Sequence, residues 1–402
     1  MDFCNIKKNI IVLIFFSNLV CLQNLLGQSD ANTSDSNEQT VLDASPFMSA
    51  RASGMGQALS SLANGSEAYY YNPAGIGGLN TSKGKKGLLR TFHFPYIGAA
   101  ANENTKKLRS EFANQGGASD SSIGETIVEA NEGKRQYARF STLLDLTLGR
   151  SAYAAYSDVQ LAAIKSSGSS NSEGTISLQY KSTSGVGFGF SVVDSKDRFY
   201  LGAFSSYNSI SLTDAEKVSY LDIVSVDRRK TVISDYSTKW SGTSSNIGII
   251  WVFSKTLRPS LSIVARDIGN SVYTRGSDKS DLNQDTLQIN QDLTSAFSLS
   301  PSITKDFYLN FIVEGHHLTD ATTALKKKMR SGLELTYGGF GSNSTLGLRG
   351  GYNSAGASYG ASINIGLLQL EYASETVDIG LENKEVTERR SLAIFSVNMA
   401  ND

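Results

Sequence analysis

From about residue 186 onward the chain repeats one pattern: apolar and polar residues alternate with a period of two. In Asp306 to Glu314, Phe307, Leu309, Phe311 and Val313 share one face, while Tyr308, Asn310 and Glu314 share the other with Ile312. Ile247, Ile249, Trp251 and Phe253 line one face of Ser244 to Phe253, with Asn246 and Gly248 opposite. The period recurs at Val186, Phe188, Phe190 and Val192, at Leu333, Leu335 and Tyr337, at Leu346 and Leu348, and at Tyr359, Ala361, Ile363 and Ile365. Side chains of an extended strand point alternately to opposite faces, so this is a β pattern with one apolar and one polar face. A soluble sandwich gives the same alternation with its apolar face inward. Strand length separates the two: globular strands average about five or six residues, whereas these segments run to about ten, the span of a tilted membrane strand.

The N-terminus points the same way. Lys7 and Lys8 precede an apolar run from Ile10 to Val20, interrupted at Ser17 and Asn18 and followed by Gly27. This is the layout of a secretory signal peptide, expected over residues 1–28, and it is too short to span a bilayer as a helix. Both cysteines, Cys4 and Cys21, fall inside it, so the mature chain is expected to need no disulfide or thiol site. Val20 stands before Cys21 where lipidation calls for a small residue. Residues 29–44 are polar and read as a leader.

No later run is apolar enough for a transmembrane helix, so a spanning chain must span with strands. Glycine is abundant at 37 residues and proline scarce at 5, and 18 Tyr with 18 Phe suit interfacial aromatic girdles. A net charge of −1 gives no field to draw nucleic acid, and no nucleic-acid partner is expected. Polar spacers at Ala101 to Gly133, Ile210 to Thr243, Gly269 to Asp285 and Ser374 to Thr387 are long. Those near Gly149, Ser254 to Arg258 and Gly366 are short, the asymmetry of outer-membrane barrels. About fifteen strand candidates emerge where an even number is required, and the surplus is expected between Thr175 and Tyr207 or in Ser211 to Trp240. The chain ends on Met399, Ala400, Asn401 and Asp402, without the aromatic terminus usual for such barrels.

Before the strands lies Ser49 to Leu79, rich in glycine and alanine and ending in an Asn-Pro step. Pro73 removes a backbone donor and biases Asn72 toward an extended conformation, so Asn72-Pro73-Ala74-Gly75 reads as a rigid turn. Ala50, Arg51, Ala52, Met55, Gly56 and Ala58, followed by Tyr70, Asn72, Pro73, Ala74 and Gly75, resemble the N-terminal signature of the FadL-like superfamily of outer-membrane long-chain fatty-acid transporters and its shorter secretion-associated relatives. Gln57 departs from that signature, standing where a second glycine is usual. The resemblance implies an all-β fold, a transmembrane antiparallel barrel of about 14 strands over residues 81–402, with residues 45–80 forming a plug inside the lumen. It implies gating residues Arg51, Met55, Gly56, Asn72, Pro73, Ala74 and Gly75, and a diderm outer membrane as the location. Tyr69, Tyr70 and Tyr71 are candidates for ligand contact or for packing against the wall, and Arg51 with Glu67 for a lumenal latch.

Chemistry finds little footing. Gly356-Ala357-Ser358-Tyr359-Gly360 matches the serine-hydrolase elbow, which requires a helix after the turn, yet strand alternation follows. His316 and His317 are adjacent and as strand residues face opposite ways, so a metal site is not expected, nor a cofactor or enzymatic activity. Asp197 and Glu334 fit a polar barrel wall. The leading expectation is passive uptake of a hydrophobic small molecule, a fatty acid or an aromatic hydrocarbon, which predicts an apolar pocket under the extracellular loops and a gap or inward kink in one wall strand. The alternative is a barrel serving as an interaction platform for secretion-system or surface-attached proteins, with a polar lumen. In either case membrane lipids and the outer-membrane assembly machinery are partners. Asn102 to Gly133 is expected to hold two short amphipathic loop helices.

Overall fold

The computed structural model describes residues 45–78, 89–105, 135–165, 175–219, 222, 226–254, 257–276, 286–338, 344–379 and 386–399. The signal peptide, the polar leader and most of the expected loop helices of 102–133 lie outside them. The alternating segments are strands of one antiparallel sheet closed on itself. They are β1 (Leu89–Asn102), β2 (Arg135–Leu148), β3 (Ser151–Lys165), β4 (Thr175–Val193), β5 (Phe199–Ser219), β6 (Ser237–Val252), β7 (Ser260–Arg266) and β8 (Ser271–Arg275). The sheet continues through β9 (Thr286–Ile289), β10 (Asp292–Leu299), β11 (Phe307–Gly315), β12 (Met329–Tyr337), β13 (Ser344–Asn353), β14 (Gly356–Ile365), β15 (Leu368–Asp378) and β16 (Thr387–Asn398). Closure comes from β1 pairing β16, with Ala99 opposite Ala393.

Sixteen segments make fourteen wall strands. Both β7 and β8 pair with β6, at Ile247 to Val252 and at Trp240 to Gly242, so they are successive halves of one strand. β9 and β10 likewise form the next, since β9 pairs β8 and β10 pairs β7. The first break is the turn Asp267 to Asn270, where Asp267, Gly269 and Asn270 all have positive φ. Short Asp and Asn side chains tolerate that backbone region better than most residues. The breaks are stitched by Gly269 N donating to Gln291 Oε1 at 3.0 Å and Gln291 N donating to Asn270 Oδ1 at 2.9 Å. The irregularity behind the odd strand count thus lies at 267–270 and 290–291, not at 175–207 or 211–240 as expected from sequence.

The turns at 149–150, 194–198, 300–306 and 366–367 share one rim, and the strand ends joined by the longer spacers lie on the other. One connection on the loop side is short, the two residues between Asn353 and Gly356, held by Asn353 Oδ1 accepting from Ala355 N and Gly356 N. The long spacer expected from Ile210 to Thr243 is strand at both ends and helix between them. β5 runs to Ser219 and β6 starts at Ser237, with helix α3 (Val226–Tyr236) between them. Ser209, Ser211 and Ser241 sit in its paired ladder, and their polarity on the outward side disguised it as loop.

The outward face is apolar where lipid would meet it. Val186, Phe188, Phe190 and Val192 of β4 are 46–59% exposed, and Leu333, Leu348, Ile363 and Leu370 show the same behaviour on the far wall. The lumenal face carries Arg139, Asp145, Asp158, Glu314, Glu334 and Arg390, all buried. Membrane barrels have this inside-out polarity because hydrocarbon cannot solvate charge.

Candidate functional site

The lumen is filled across its middle by residues 45–78. Ser49 caps helix α1 (Ala50–Gly54), accepting from Ala52 N at 3.0 Å. Gly56 then turns the chain with φ of +65°, a conformation costly for most residues, and Gln57 follows at +68°. Helix α2 (Ala68–Tyr71) ends at Asn72, which is extended (φ −164°, ψ 106°) as the following proline requires. Pro73 begins a 3₁₀ turn, where its missing N–H leaves nothing unsatisfied. Asn72 Oδ1 accepts from Ala74 N at 3.0 Å, and its Nδ2 donates to Ser60 O at 2.9 Å, so one carboxamide ties the turn to the preceding loop.

The wall is carved to receive this plug. A Cβ on Gly202 of β5 would collide with the backbone of Pro73 and Ala74, and one on Gly248 of β6 with the Asn72 carboxamide. On the opposite wall, a Cβ at Gly332 would come within 2.7 Å of Met55 Cβ, and one at Gly351 would strike the Met55–Gly56 backbone. Alternation puts these four glycines inward, so their absent side chains make the space the plug occupies. Met55, Leu59 and Tyr71 pack with Ala296 and Ile312, which accounts for Ile312 standing apolar on an otherwise polar face. Ala68, Tyr69 and Ile76 pack with Leu143, Tyr156 and Phe204.

Polar contacts fix the plug at several points. Arg51 lies between Glu67 of the plug and Glu334 of β12, with Nη1 to Glu67 Oε2 at 3.0 Å and Nη2 to Glu334 Oε2 at 2.8 Å. Glu334 also accepts from Arg349 Nε at 2.9 Å, and Arg349 reaches Glu371 at 3.0 Å. The pairing of Arg51 with Glu67 expected from sequence is therefore present, extended by Glu334, which was expected in a polar wall, and by Arg349 and Glu371, which sequence reasoning did not single out. Burial disfavours the Arg51 charge, but Glu334 and Glu67 more than offset it and raise its pKa, so the guanidinium stays charged. Glu314 of β11 accepts from the backbone N–H groups of Leu59 (2.9 Å) and Ser60 (2.8 Å). Gln57, the departure from the family signature, donates to Glu375 Oε2 at 2.6 Å and accepts from Tyr71 at 2.8 Å.

The three tyrosines have separate places. Tyr69 is fully buried, stacked on Phe204 with centroids 5.1 Å apart, and donates to Asp145, which His93 contacts at 2.8 Å. Burial, then Asp145, pushes its phenol pKa up. Tyr70 lies under the Arg266 guanidinium, 5.3 Å from the ring centroid. Tyr70 and Tyr71, unlike Tyr69, line a chamber.

Two chambers flank the plug. The loop-side one, about 340 Å³, is lined by Phe47, Met48, Tyr70, Tyr71 and Leu392 among apolar groups, and by Arg139, Arg266, Arg330, Arg390, Asp292 and His316 among polar ones. The short-turn-side one, about 760 Å³, is lined by Arg51, Glu67, His93, Glu334, Arg349 and Glu371. The apolar pocket expected under the loops is thus replaced, among the described residues, by an amphipathic one rich in arginine; lumen-facing positions of β2, β7, β12 and β16 supply those guanidiniums. No group of His, Cys, Asp and Glu with metal-ligating arrangement occurs among the described residues. Ser358 sits in β14, inside a continuous strand ladder.

No protein-family model matches the chain, and no curated protein matches it. Among solved structures, a TodX deltaS2S3 mutant described as a monoaromatic hydrocarbon channel is similar at 9% identity and TM-score 0.50, covering 87% of this chain and 98% of its own. The P. putida toluene transporter TodX gives 10% identity and TM-score 0.48, over 88% and 99%. The Ralstonia pickettii toluene transporter TbuX gives 11% and 0.47, over 87% and 97%. The first of these supports a common fold at nearly full length. With fourteen closed antiparallel wall strands and the Tyr70-x-Asn72-Pro73-Ala74-Gly75 turn seated in the lumen, the described chain has the fold of such a channel, a plugged antiparallel β-barrel.

Proposed function

We propose that the protein is a plugged channel of a diderm outer membrane that passes small molecules with an apolar body passively inward, without a chemical step. The observation that carries this reading is that one short segment, residues 51–71, contributes to the lining of both chambers. A wall this wide cannot be filled by its own side chains, so the plug sets the permeability. Arg51, Met55, Gly56 and the turn Asn72 to Gly75 are the residues on which its seating depends. The chamber of about 340 Å³ falls in the range of small-molecule sites, and Phe47, Met48, Tyr70, Tyr71 and Leu392 offer an apolar body its contacts.

The test is uptake into proteoliposomes by wild type and by a variant with Asn72-Pro73-Ala74 replaced by Gly-Ser-Gly. Cargo-dependent flux that changes with the turn supports the channel; impermeability of both forms to every small apolar solute tried overturns it. The charged lining of both chambers favours a second reading, an interaction platform for secretion or surface attachment. A stoichiometric co-purifying protein, with no bound small molecule, would decide for that reading.

A further inference from the structure

Near the loop-side rim of β14, β15 and β16 the outward face carries a charge among its apolar residues. β16 opens Thr387-Glu388-Arg389-Arg390, and alternation sends successive side chains to opposite faces. Glu388 and Arg390 turn into the lumen and pair at 2.8 Å. Arg389 is left on the outer wall, where no carboxylate pairs with it among the described residues. Glu375 of the adjacent strand is no exception, since it faces the lumen and accepts from Gln57 of the plug.

The Arg389 side chain is laid across the sheet. It starts opposite Thr376 of β15, its Nε donates to Ser374 Oγ at 2.8 Å, and its guanidinium carbon lies 4.8 Å from the ring centroid of Tyr359 on β14. The Tyr359 ring is 51% exposed, and its hydroxyl lies beside Ser374 and Tyr372. Tyr372 in turn donates to Ser391 Oγ at 3.3 Å. Ala361 and Ala393 stand on either side of Tyr372, and their small side chains leave a shallow channel along each edge of the ring. Nearer the short-turn rim, Ile363, Leu370 and Phe395 form one exposed apolar row across the three strands.

The height of this cluster matters. Thr376 lies eight residues past Leu368, where β15 leaves the short-turn rim. That distance is ~26 Å along the strand, or ~20 Å of elevation at the usual tilt, against an apolar band about 25 Å tall. The guanidinium therefore sits at the upper border of the band, where hydrocarbon gives way to headgroups and where aromatic girdles lie. Tethered through Nε and stacked on a ring, it still offers a planar fork of N–H donors, a shape matched to phosphate oxygens.

We infer that this face seats a lipid of the outer leaflet by its phosphate, held by Arg389 beside Tyr359, with its acyl chains in the channels along Tyr372 and over Ile363, Leu370 and Phe395. The occupant is a phosphorylated lipid and not a free ion, because the apolar channels run directly from the charge into the lipid-facing wall. The inference rests on the membrane placement proposed above and is independent of what the lumen passes.

The experiment is native mass spectrometry of the full chain in uncharged detergent micelles, titrated with lipid A and with dephosphorylated lipid A carrying the same acyl chains. Wild type should bind the phosphorylated form roughly tenfold tighter. Arg389→Gln should abolish that preference and Arg389→Lys should keep part of it. Lys239→Gln, at an exposed outward position of β6, should keep all of it. Equal affinity of wild type for the two lipids, an undiminished preference in Arg389→Gln, or the same loss in Lys239→Gln overturns the site. Displacement of the lipid by excess inorganic phosphate would make it an ion site and overturn the assignment to a lipid. If Arg389→Gln does not fold, as read by its heat-shifted gel mobility, the wild-type and Lys239→Gln comparisons decide. Solute flux in proteoliposomes is a separate readout: its absence from wild type would defeat the channel reading and leave the lipid site standing.

Discussion

Gly248 in β6 and Asn72 in the plug are fitted to each other: a Cβ on Gly248 would overlap the Asn72 carboxamide, the group that holds the Asn-Pro turn closed. The neighbouring strand repeats the fit, with Gly202 against Pro73 and Ala74.

Gly248→Ala and Gly202→Ala should therefore unseat the turn while leaving the wall ladder intact, since neither glycine has a positive φ. Planar-bilayer recording should show raised basal conductance in both, with gel mobility of the folded barrel unchanged. Basal conductance equal to wild type would mean that the turn does not close the path.

Arg51 sits between two carboxylates in a closed site. Removing one partner of a buried charge pair typically costs about 3–5 kcal/mol, because the other is left uncompensated. Arg51→Ala leaves Glu67 without its ion-pair partner and Glu334 with Arg349 alone, so the plug amides should exchange hydrogen far faster than in wild type. Glu67→Gln leaves Glu334 in place and should have the milder effect.

His316 is set just beyond β11, facing Glu314, with Arg266, Arg330, Asp292 and His317 around it. Burial, with Arg330 adding to it, pushes its pKa down to about 4. The folded protein thus holds it neutral where the unfolded chain, titrating near the ordinary value of about 6.5, is already protonated. Its contribution is complete above about pH 6.5 and declines as the pH falls toward 4, by up to about 3 kcal/mol. Urea unfolding across that window should show this slope, and His316→Gln should flatten it.

Ser358 matches a hydrolase pattern by sequence, but it lies in the β14 ladder opposite Gly351. Ser358→Ala should leave solute flux unchanged, and neither form should hydrolyse a chromogenic acyl ester; serine-dependent turnover would contradict this.

The legible part of the fold was the part where one force acts on each face. Val186 to Val192 alternates cleanly because lipid takes one side and the lumen the other. Ser209 to Ser219 did not, since here the pattern is reversed, with Ile210 and Leu212 turned inward against Trp240 and Tyr273 while Ser209 and Ser211 lie on the other face, and strand resembles loop. The break at Asp267 to Asn270 carried ordinary turn residues, yet nothing local revealed that β8 resumes on the same partner. In the plug, the turn at Asn72 was readable because proline acts on its own neighbours. The contacts of Arg51 with Glu334 and of Glu314 with Leu59 join residues more than 250 positions apart, and only closure of the sheet brings them together. Glu314 and Glu334 did carry one signal, acidic residues at inward positions of otherwise apolar strands.

The wall strands are unequal in height. β5 has 21 residues and β11 and β12 have nine each, all ending on the short-turn rim. The twelve extra residues amount to ~40 Å along the strand, or ~30 Å of elevation at the usual tilt. The mouth is therefore cut obliquely, like a quill. Among the described residues the wall is lowest at β11 and β12 and tallest at β5. From β5 to β12 the wall loses more than half its residues, so the two flanks of the described barrel differ by strand length.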